Sequence, residues 1–189
     1  MECVILAAGS SSRLGRDKAL VDVGSQTLIS WISRRLSSRV ANITIVANES
    51  NFAEISKIVS DVNVILNRNP HEGRTGSLKV GIDSIDSSGV EEYRLLVVPV
   101  DRPGFSDSTL DHLICSEETC CPVKEGRGGH PLVLTFEDVD KVRKSSANSP
   151  LREVIEASRF EVLDRFLELN IDTPEDIINL KEKLQLVNE

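Results

Sequence analysis

Residues 4–20 read Val4-Ile-Leu-Ala-Ala-Gly-Ser-Ser-Ser-Arg-Leu-Gly-Arg-Asp-Lys-Ala-Leu20, and this stretch decides the fold. From Cys3 to Leu6 the residues are apolar or small without alternation, which is typical of a strand buried on both faces. The chain then passes through small residues from Ala7 to Ser12, where no bulky side chain keeps the backbone away from a ligand. The sequence therefore predicts a buried strand that ends in a tight turn close to a ligand.

Three cations follow this turn, namely Arg13, Arg16 and Lys18. The backbone N–H groups of such a turn can converge on an anion, and the cations add positive charge. The whole chain carries a formal net charge of -8, so the positive charge here is local and indicates a site rather than general nucleic-acid binding. We expect a triphosphate site, and an ordinary strand-to-helix loop with solvated basic side chains is the alternative.

The composition is ordinary for a globular protein. The chain has 189 residues, enough for a sizeable core, and we assign residues 1–189 to a single domain. No apolar run approaches the roughly 20 residues of a membrane helix, and no basic segment typical of a signal peptide precedes the first strand. The four cysteines form no CxxC pattern, and we expect reduced thiols. The expectation is a cytoplasmic protein without a membrane or nucleic-acid partner.

Strand and helix patterns alternate along the first part of the chain. Helical spacing of apolar residues covers Leu28–Leu36 and Phe52–Val59, and strands are predicted at Asn42–Val46 and Val62–Leu66. Such alternation is typical of an α/β fold, in which a mostly parallel sheet is covered by helices on both faces. The loops at the carboxyl ends of its strands then share one edge, where ligands bind.

Further elements are predicted in the later part of the chain. A helix begins at Ser77, and a strand covers Leu132–Phe136. The segment Thr173-Pro-Glu-Asp176 carries a capping box and opens a last helix, whose apolar residues run from Ile177 to Val187.

The most hydrophobic predicted strand, Arg94–Val100, ends at Asp101. A carboxylate at the end of a buried strand is costly unless it has a partner. A divalent cation on a nucleotide phosphate would be such a partner, and a turn or helix-capping role is the alternative. His130, in contrast, is expected to be a structural hydrogen-bonding residue rather than an acid or base.

Two common phosphate-binding motifs are excluded. Gly9 and Gly15 are separated by five residues and followed by Arg16, so both the spacing of a P-loop and its lysine are missing. No GxGxxG sequence is present, which excludes the dinucleotide fingerprint.

Five segments of the chain together resemble the MobA-like nucleotidyltransferases. The first segment contains Leu6-Ala-Ala-Gly9, Arg13-Leu-Gly15 and Asp17-Lys18-Ala-Leu20. The other four follow in order over nearly the whole chain, at Asn67–Ile82, Val98–Pro103, Gly126–Pro131 and Asn170–Asp176. Within the family, the sequence is most similar to the molybdenum cofactor cytidylyltransferases.

The resemblance implies a Rossmann-like three-layer sandwich of the nucleotide-diphospho-sugar transferase type. It also implies Mg²⁺-dependent transfer of a nucleotidyl group from an NTP to a phosphorylated acceptor, with release of pyrophosphate. The acceptor would be molybdopterin or the molybdenum cofactor, and a molybdoenzyme could receive the product. Ala8 favours CTP over GTP. Guanylyl transfer, another small phosphorylated acceptor and a non-catalytic cofactor-binding role remain alternatives.

The residue types suit this chemistry. Because the acceptor phosphate is itself a nucleophile, catalysis needs positioning and charge neutralisation rather than a Ser, Cys or His nucleophile. Lys18, Arg13 and Asp101 are therefore the predicted catalytic residues, and Asp101 and Asp172 are the predicted metal ligands. The resemblance implies a nucleotide-binding set that comprises Leu6, Ala7, Ala8, Gly9, Ser10, Arg13, Gly15, Lys18, Asn67 and Ser77.

Overall fold

The computed structural model describes residues 1–188, and its strands form one sheet. In chain order the strands are β1 (Glu2–Leu6), β2 (Ile43–Ala47), β3 (Asn63–Leu66), β4 (Leu95–Pro99), β5 (Cys120–Lys124), β6 (Arg127–Gly128), β7 (Leu132–Leu134) and β8 (Ser158–Glu161). Their order across the sheet is β3-β2-β1-β4-β7-β5-β6, with β8 beside β5. The first four strands run parallel, whereas β7 is antiparallel to β4 and β5.

The helices of the same residues alternate with these strands. They are α1 (Leu28–Leu36), α2 (Phe52–Ile58), α3 (Gly73–Ser87), α4 (Asp107–Cys115), α5 (Phe136–Lys144), α6 (Leu151–Val154) and α7 (Leu180–Gln185). Short 3-10 turns precede α3, at Pro70–Glu72, and α7, at Pro174–Ile177. Within residues 1–188, none of the helices combines the length and the apolar composition needed to cross a bilayer.

Helices cover both faces of the sheet. Residues of α1 and α4 form one buried cluster with Cys3 and Ile5, and residues of α3 and α5 form a second cluster with Val4 and Leu6. The burial of each large apolar side chain contributes about 1.5–3 kcal/mol. This arrangement confirms the predicted three-layer α/β fold, and it explains why β1 shows no polar alternation.

The direction in which strands are added to the sheet reverses at β1. β2 and β3 lie on one side of β1, and the chain then crosses to β4 on the other side, with Leu6 opposite Pro99. Ligands of open α/β sheets bind at such a reversal, outside the carboxyl ends of the strands. The topology therefore brings the turn after β1 and the segment after β4 to the same edge.

Two predicted boundaries differ from the structure by more than one residue. α3 begins at Gly73 rather than Ser77, because the 3-10 turn at Pro70–Glu72 leads directly into it. The strand predicted at Leu132–Phe136 ends at Leu134, since Oγ1 of Thr135 accepts a hydrogen bond from the backbone N–H of Asp138 at 3.3 Å and caps α5.

The predicted last helix is interrupted. Its capping box is present, with the backbone N–H of Thr173 donating to Oδ2 of Asp176 at 2.7 Å. The turn that follows ends at Ile177, and Asn179 adopts a left-handed conformation with φ of 59° before α7 begins. Ile178, predicted on the apolar helix face, is consequently 61% exposed.

Gly81 allows α3 to approach the sheet closely. A Cβ at this position would lie 2.8 Å from Cγ2 and 2.9 Å from Cγ1 of Val4. Val4 is fully buried at the centre of the sheet, so its methyl groups have little room to move. The first turn of α3 lies at the same edge of the sheet as the turn after β1. The close contact at Gly81 therefore also positions the first turn of α3.

We expect Gly81→Ala to destabilise the protein. Overpacking typically costs about 1–3 kcal/mol, and the better helix propensity of Ala recovers about 1 kcal/mol at most. Urea unfolding would measure the net loss, and Gly128→Ala is the control because a Cβ there has no neighbour within 4 Å. A Gly81→Ala variant as stable as the unmodified chain would contradict this account of the packing.

Candidate active site

A cleft of about 310 Å³ opens at the carboxyl ends of β1 and β4. The turn after β1 forms one side of it, and the first residues of α3 form another. Most of the predicted site residues border it: Leu6, Ala7, Ala8, Gly9, Ser10, Arg13, Lys18, Ser77, Asp101 and Asp172. Lys18 and Asp172, which are 154 positions apart in the chain, therefore meet in one cleft, as the fold class predicts.

Lys18 lies between two carboxylates in this cleft. Its Nζ donates to Oδ1 of Asp172 at 2.5 Å and to Oδ2 of Asp101 at 3.3 Å. Oδ2 of Asp172 also forms an ion pair with the guanidinium of Arg13 at 3.1 Å. The hydrogen bond from Lys18 is the main reason why the pKa of Asp172 lies below its usual range, and Asn170 and Arg13 add to it.

The turn after β1 is held in shape by its own backbone. Ser11 has a φ of 50° in the left-handed region, and its carbonyl accepts hydrogen bonds from Leu14 and Gly15. Oγ of Ser11 also accepts the backbone N–H of Lys18 at 3.2 Å. The chain therefore folds back on itself between Ser11 and Lys18, and this brings the lysine into the cleft.

A buried asparagine ties the two ends of this turn together. Nδ2 of Asn51 donates to the carbonyl of Ala7 at 2.9 Å and to Oδ2 of Asp17 at 2.8 Å. Oδ1 of Asn51 accepts the backbone N–H of Asn48 at 2.9 Å. Burial raises the pKa of Asp17 against the opposing effect of these hydrogen bonds.

Asn51 was not among the predicted site residues. Its side chain is fully buried, and its partners Ala7 and Asp17 lie 44 and 34 positions away in the chain. The available signal was the polar group Asn48-Glu-Ser-Asn51, which follows a predicted strand at the ligand-binding edge. A polar residue there that becomes fully buried must find hydrogen-bond partners nearby.

Two predicted nucleotide-binding residues do not border the cleft. Asn67 is 1% exposed, and its Nδ2 donates to Oγ of Ser77 at 3.0 Å. It therefore orients the Ser77 side chain without bordering the cleft itself. Gly15 has a φ of 75° and lies within the turn but away from the cleft wall. Both were predicted from their place in a motif, and a motif does not show which side of a loop faces a ligand.

The N-terminus of α3 is a second source of positive potential at the cleft. It was not predicted, because the predicted start of this helix was Ser77 rather than Gly73. Gly73, Arg74 and Ser77 border the cleft, so the first turn of the helix lies at its wall. The unpaired N–H groups and the dipole at a helix N-terminus favour an anion. The cleft therefore combines this helix end, the turn after β1 and three cationic side chains, which is an arrangement suited to phosphate groups.

Comparisons with known proteins agree with this geometry. The pattern of the MobA-like NTP transferase domain matches residues 3–162. The chain is 26% identical to a molybdenum cofactor guanylyltransferase of Cereibacter sphaeroides, with 96% of each chain covered. It is 31% identical to one of Vibrio atlanticus over 65% of this chain, a match that spans about half (56%) of that relative.

A solved structure supports the fold assignment. The structure of a nucleotidyl transferase from Methanothermobacter thermautotroptrophicus superposes on this chain with a TM-score of 0.76 at 19% identity. The match covers 99% of this chain and 98% of the other. At this identity the match shows the fold alone. The predicted nucleotide-diphospho-sugar transferase type of fold is confirmed.

We predict that Asp172→Asn loses stability in a pH-dependent manner. The pKa of Asp172 is lowered in the folded state, and an unfolded aspartate has a pKa of about 3.9. The stabilisation is therefore complete above that value and is lost as the pH falls through the folded pKa. Urea unfolding should show wild type more stable than Asp172→Asn at pH 7, with the difference shrinking below about pH 4.

Asp83→Asn is the control for this experiment, because Asp83 is exposed on α3 and forms no ion pair within residues 1–188. An equal stability difference for Asp172→Asn at pH 7 and at low pH would mean that the ion pairs do not stabilise the fold.

Proposed function

The chain belongs to the MobA-like NTP transferase family and is a nucleotidyltransferase, and we propose that it transfers a guanylyl group from GTP to molybdopterin or the molybdenum cofactor. The observation that carries the proposal is Lys18, held at 2.5 Å from Asp172 and 3.3 Å from Asp101 inside the cleft. A cation and two carboxylates at a sheet edge with a helix N-terminus suit a triphosphate and its metal ion.

GTP replaces the CTP predicted from Ala8. The comparisons do not support CTP, since the curated relatives from Cereibacter and Vibrio are both named guanylyltransferases. Ala8 borders the cleft, but a single methyl group is a weak basis for choosing a base. The same names support the proposed acceptor, and a molybdoenzyme that receives the product stays a prediction.

The proposed reaction joins two phosphate groups. An oxygen of the acceptor phosphate attacks the α-phosphorus of the nucleotide, a new P–O bond forms, and the bond to the β-phosphate breaks to release pyrophosphate. Lys18 and Arg13 would neutralise charge on the triphosphate and on the leaving pyrophosphate. The backbone of residues 7–10 would hold the phosphates in line for attack. This chemistry needs no protein nucleophile.

The donor set of the cleft fits a magnesium ion. Within residues 1–188, no group of three or more His, Cys, Asp or Glu side chains could hold a metal without other ligands. Magnesium commonly takes one or two carboxylates and completes its shell with water and substrate phosphates. Asp101 and Asp172 would hold it, and the ion would neutralise charge on the phosphates when bound.

Lys18→Ala and Asp101→Ala should each lower the turnover number by two orders of magnitude or more. Each change removes a charge that acts on the phosphates in the transition state, and losses of about 10²–10³ are usual for such groups. Pyrophosphate release measures the effect, and circular dichroism checks that the variants fold. Lys57→Ala, an exposed lysine on α2, is the control. Near-normal turnover of either variant would remove that residue from the mechanism.

The nucleotide is tested with a panel of four NTPs and molybdopterin as acceptor. We expect pyrophosphate release with GTP and at least tenfold less with CTP, ATP and UTP, because even modest differences in base contacts of about 1.4 kcal/mol change rates tenfold. Turnover of CTP alone would return the assignment to a cytidylyltransferase. Turnover with a sugar or polyol phosphate but not with molybdopterin would overturn the proposed acceptor.

A further inference from the structure

Arg74 and Arg102 are two cations near the cleft that have no carboxylate partner within residues 1–188. Arg74 borders the cleft in the first turn of α3, and Arg102 directly follows Asp101. Lys18 and Arg13, in contrast, are both paired with Asp172. The whole chain has a net charge of -8. At the cleft, however, these two arginines carry positive charge that no carboxylate of the described residues neutralises.

His130 joins these two arginines into one cluster. Its Nε2 lies 3.4 Å from Nη1 of Arg74. Burial, together with the charges of Arg74 and Arg102, lowers the pKa of His130 to about 4, so both guanidinium groups act on the imidazole. A neutral imidazole can accept a hydrogen bond from Arg74 and adds no charge of its own.

The position of His130 follows from the loop that carries it. A Cβ on the preceding residue, Gly129, would lie 2.8 Å from Cγ of Leu167, so only glycine lets the loop pack this closely. Nδ1 of His130 is buried and lacks a hydrogen-bond partner among residues 1–188. A buried polar atom without a partner is unfavourable, and such atoms call for a functional explanation.

Asp101 interacts with Lys18 of the turn and with His130. Its Oδ2 accepts a hydrogen bond from Lys18, and its negative charge partly opposes the lowering of the His130 pKa. In the proposed reaction the acceptor phosphate and the nucleotide triphosphate, both anions, must approach each other. Their mutual repulsion is reduced if positive charge lies beside each of them. Lys18 and Arg13 suit the triphosphate, which leaves Arg74 and Arg102 for the second anion.

We propose that Arg74 and Arg102 bind the phosphate group of the acceptor. The proposal rests on the proposed function, because it assigns the second substrate of that reaction to one part of the cleft. The ligand is a phosphomonoester, and a guanidinium is the side chain best suited to it because its N–H groups form a planar fork.

Arg74→Gln, Arg102→Gln and the double variant test the proposal by steady-state kinetics. Each single change should raise the KM for molybdopterin about tenfold or more, because a hydrogen bond to a charged group is lost. The KM for GTP should stay within about twofold of wild type. Arg159→Gln is the matched control, since Arg159 is an exposed arginine on β8. A raised KM for GTP with an unchanged KM for molybdopterin would assign both arginines to the nucleotide and overturn the proposal.

A titration with inorganic phosphate gives a readout that does not depend on turnover. In the presence of saturating GTP, calorimetry should detect phosphate binding to wild type and to Arg159→Gln. The double variant should bind phosphate at least about tenfold more weakly. Equal phosphate binding by wild type and the double variant would overturn the site. If wild type transfers no guanylyl group to molybdopterin, the proposed function fails, while this titration still decides whether the two arginines form an anion site.

Discussion

The structure depends on burial of β1 on both of its faces. Its side chains alternate between the two apolar clusters, and its backbone is hydrogen-bonded to β2 on one side and β4 on the other. The register of this strand is fixed. A slip of one residue would turn every side chain of β1 to the opposite face of the sheet, where it would meet different helices. The turn that follows is thereby fixed at the sheet edge, beside the segment that carries Asp101.

The cleft follows from this constraint together with a few long-range polar contacts. Lys18 reaches the cleft because the turn folds back on Ser11, and it meets Asp172 because the chain returns past Asp101, whose carbonyl accepts the backbone N–H of Ile171 at 3.0 Å. Charged groups this close lose solvation and are stable only in compensating pairs. The site is therefore part of the tertiary structure as well as the place for a ligand.

The sequence predicts the central strands well and the late elements less well. β1, β2 and β4 are apolar except at Glu2 and Thr44, so their hydrophobic residues identify them as buried strands, and their order places the binding edge. The start of α3 and the break at Asn179 depend on turn conformations that propensity does not encode. Of the predicted site, the residues on the turn and the strand ends lie together except Gly15. Asn67, which was predicted, and Asn51, which was not, act through hydrogen bonds to residues distant in the chain, and no local sequence pattern shows such contacts.

The amide of Asn51 has a consequence for ligand affinity. One NH₂ group holds both Ala7, where the turn begins, and Asp17, where it ends, so the intervening residues form a closed loop. The same side chain is held by the backbone N–H of Asn48, directly after β2. A loop closed in this way has already lost much of its conformational entropy during folding. A phosphate that binds there meets a preorganised cradle, and less of the interaction energy is consumed in ordering the chain.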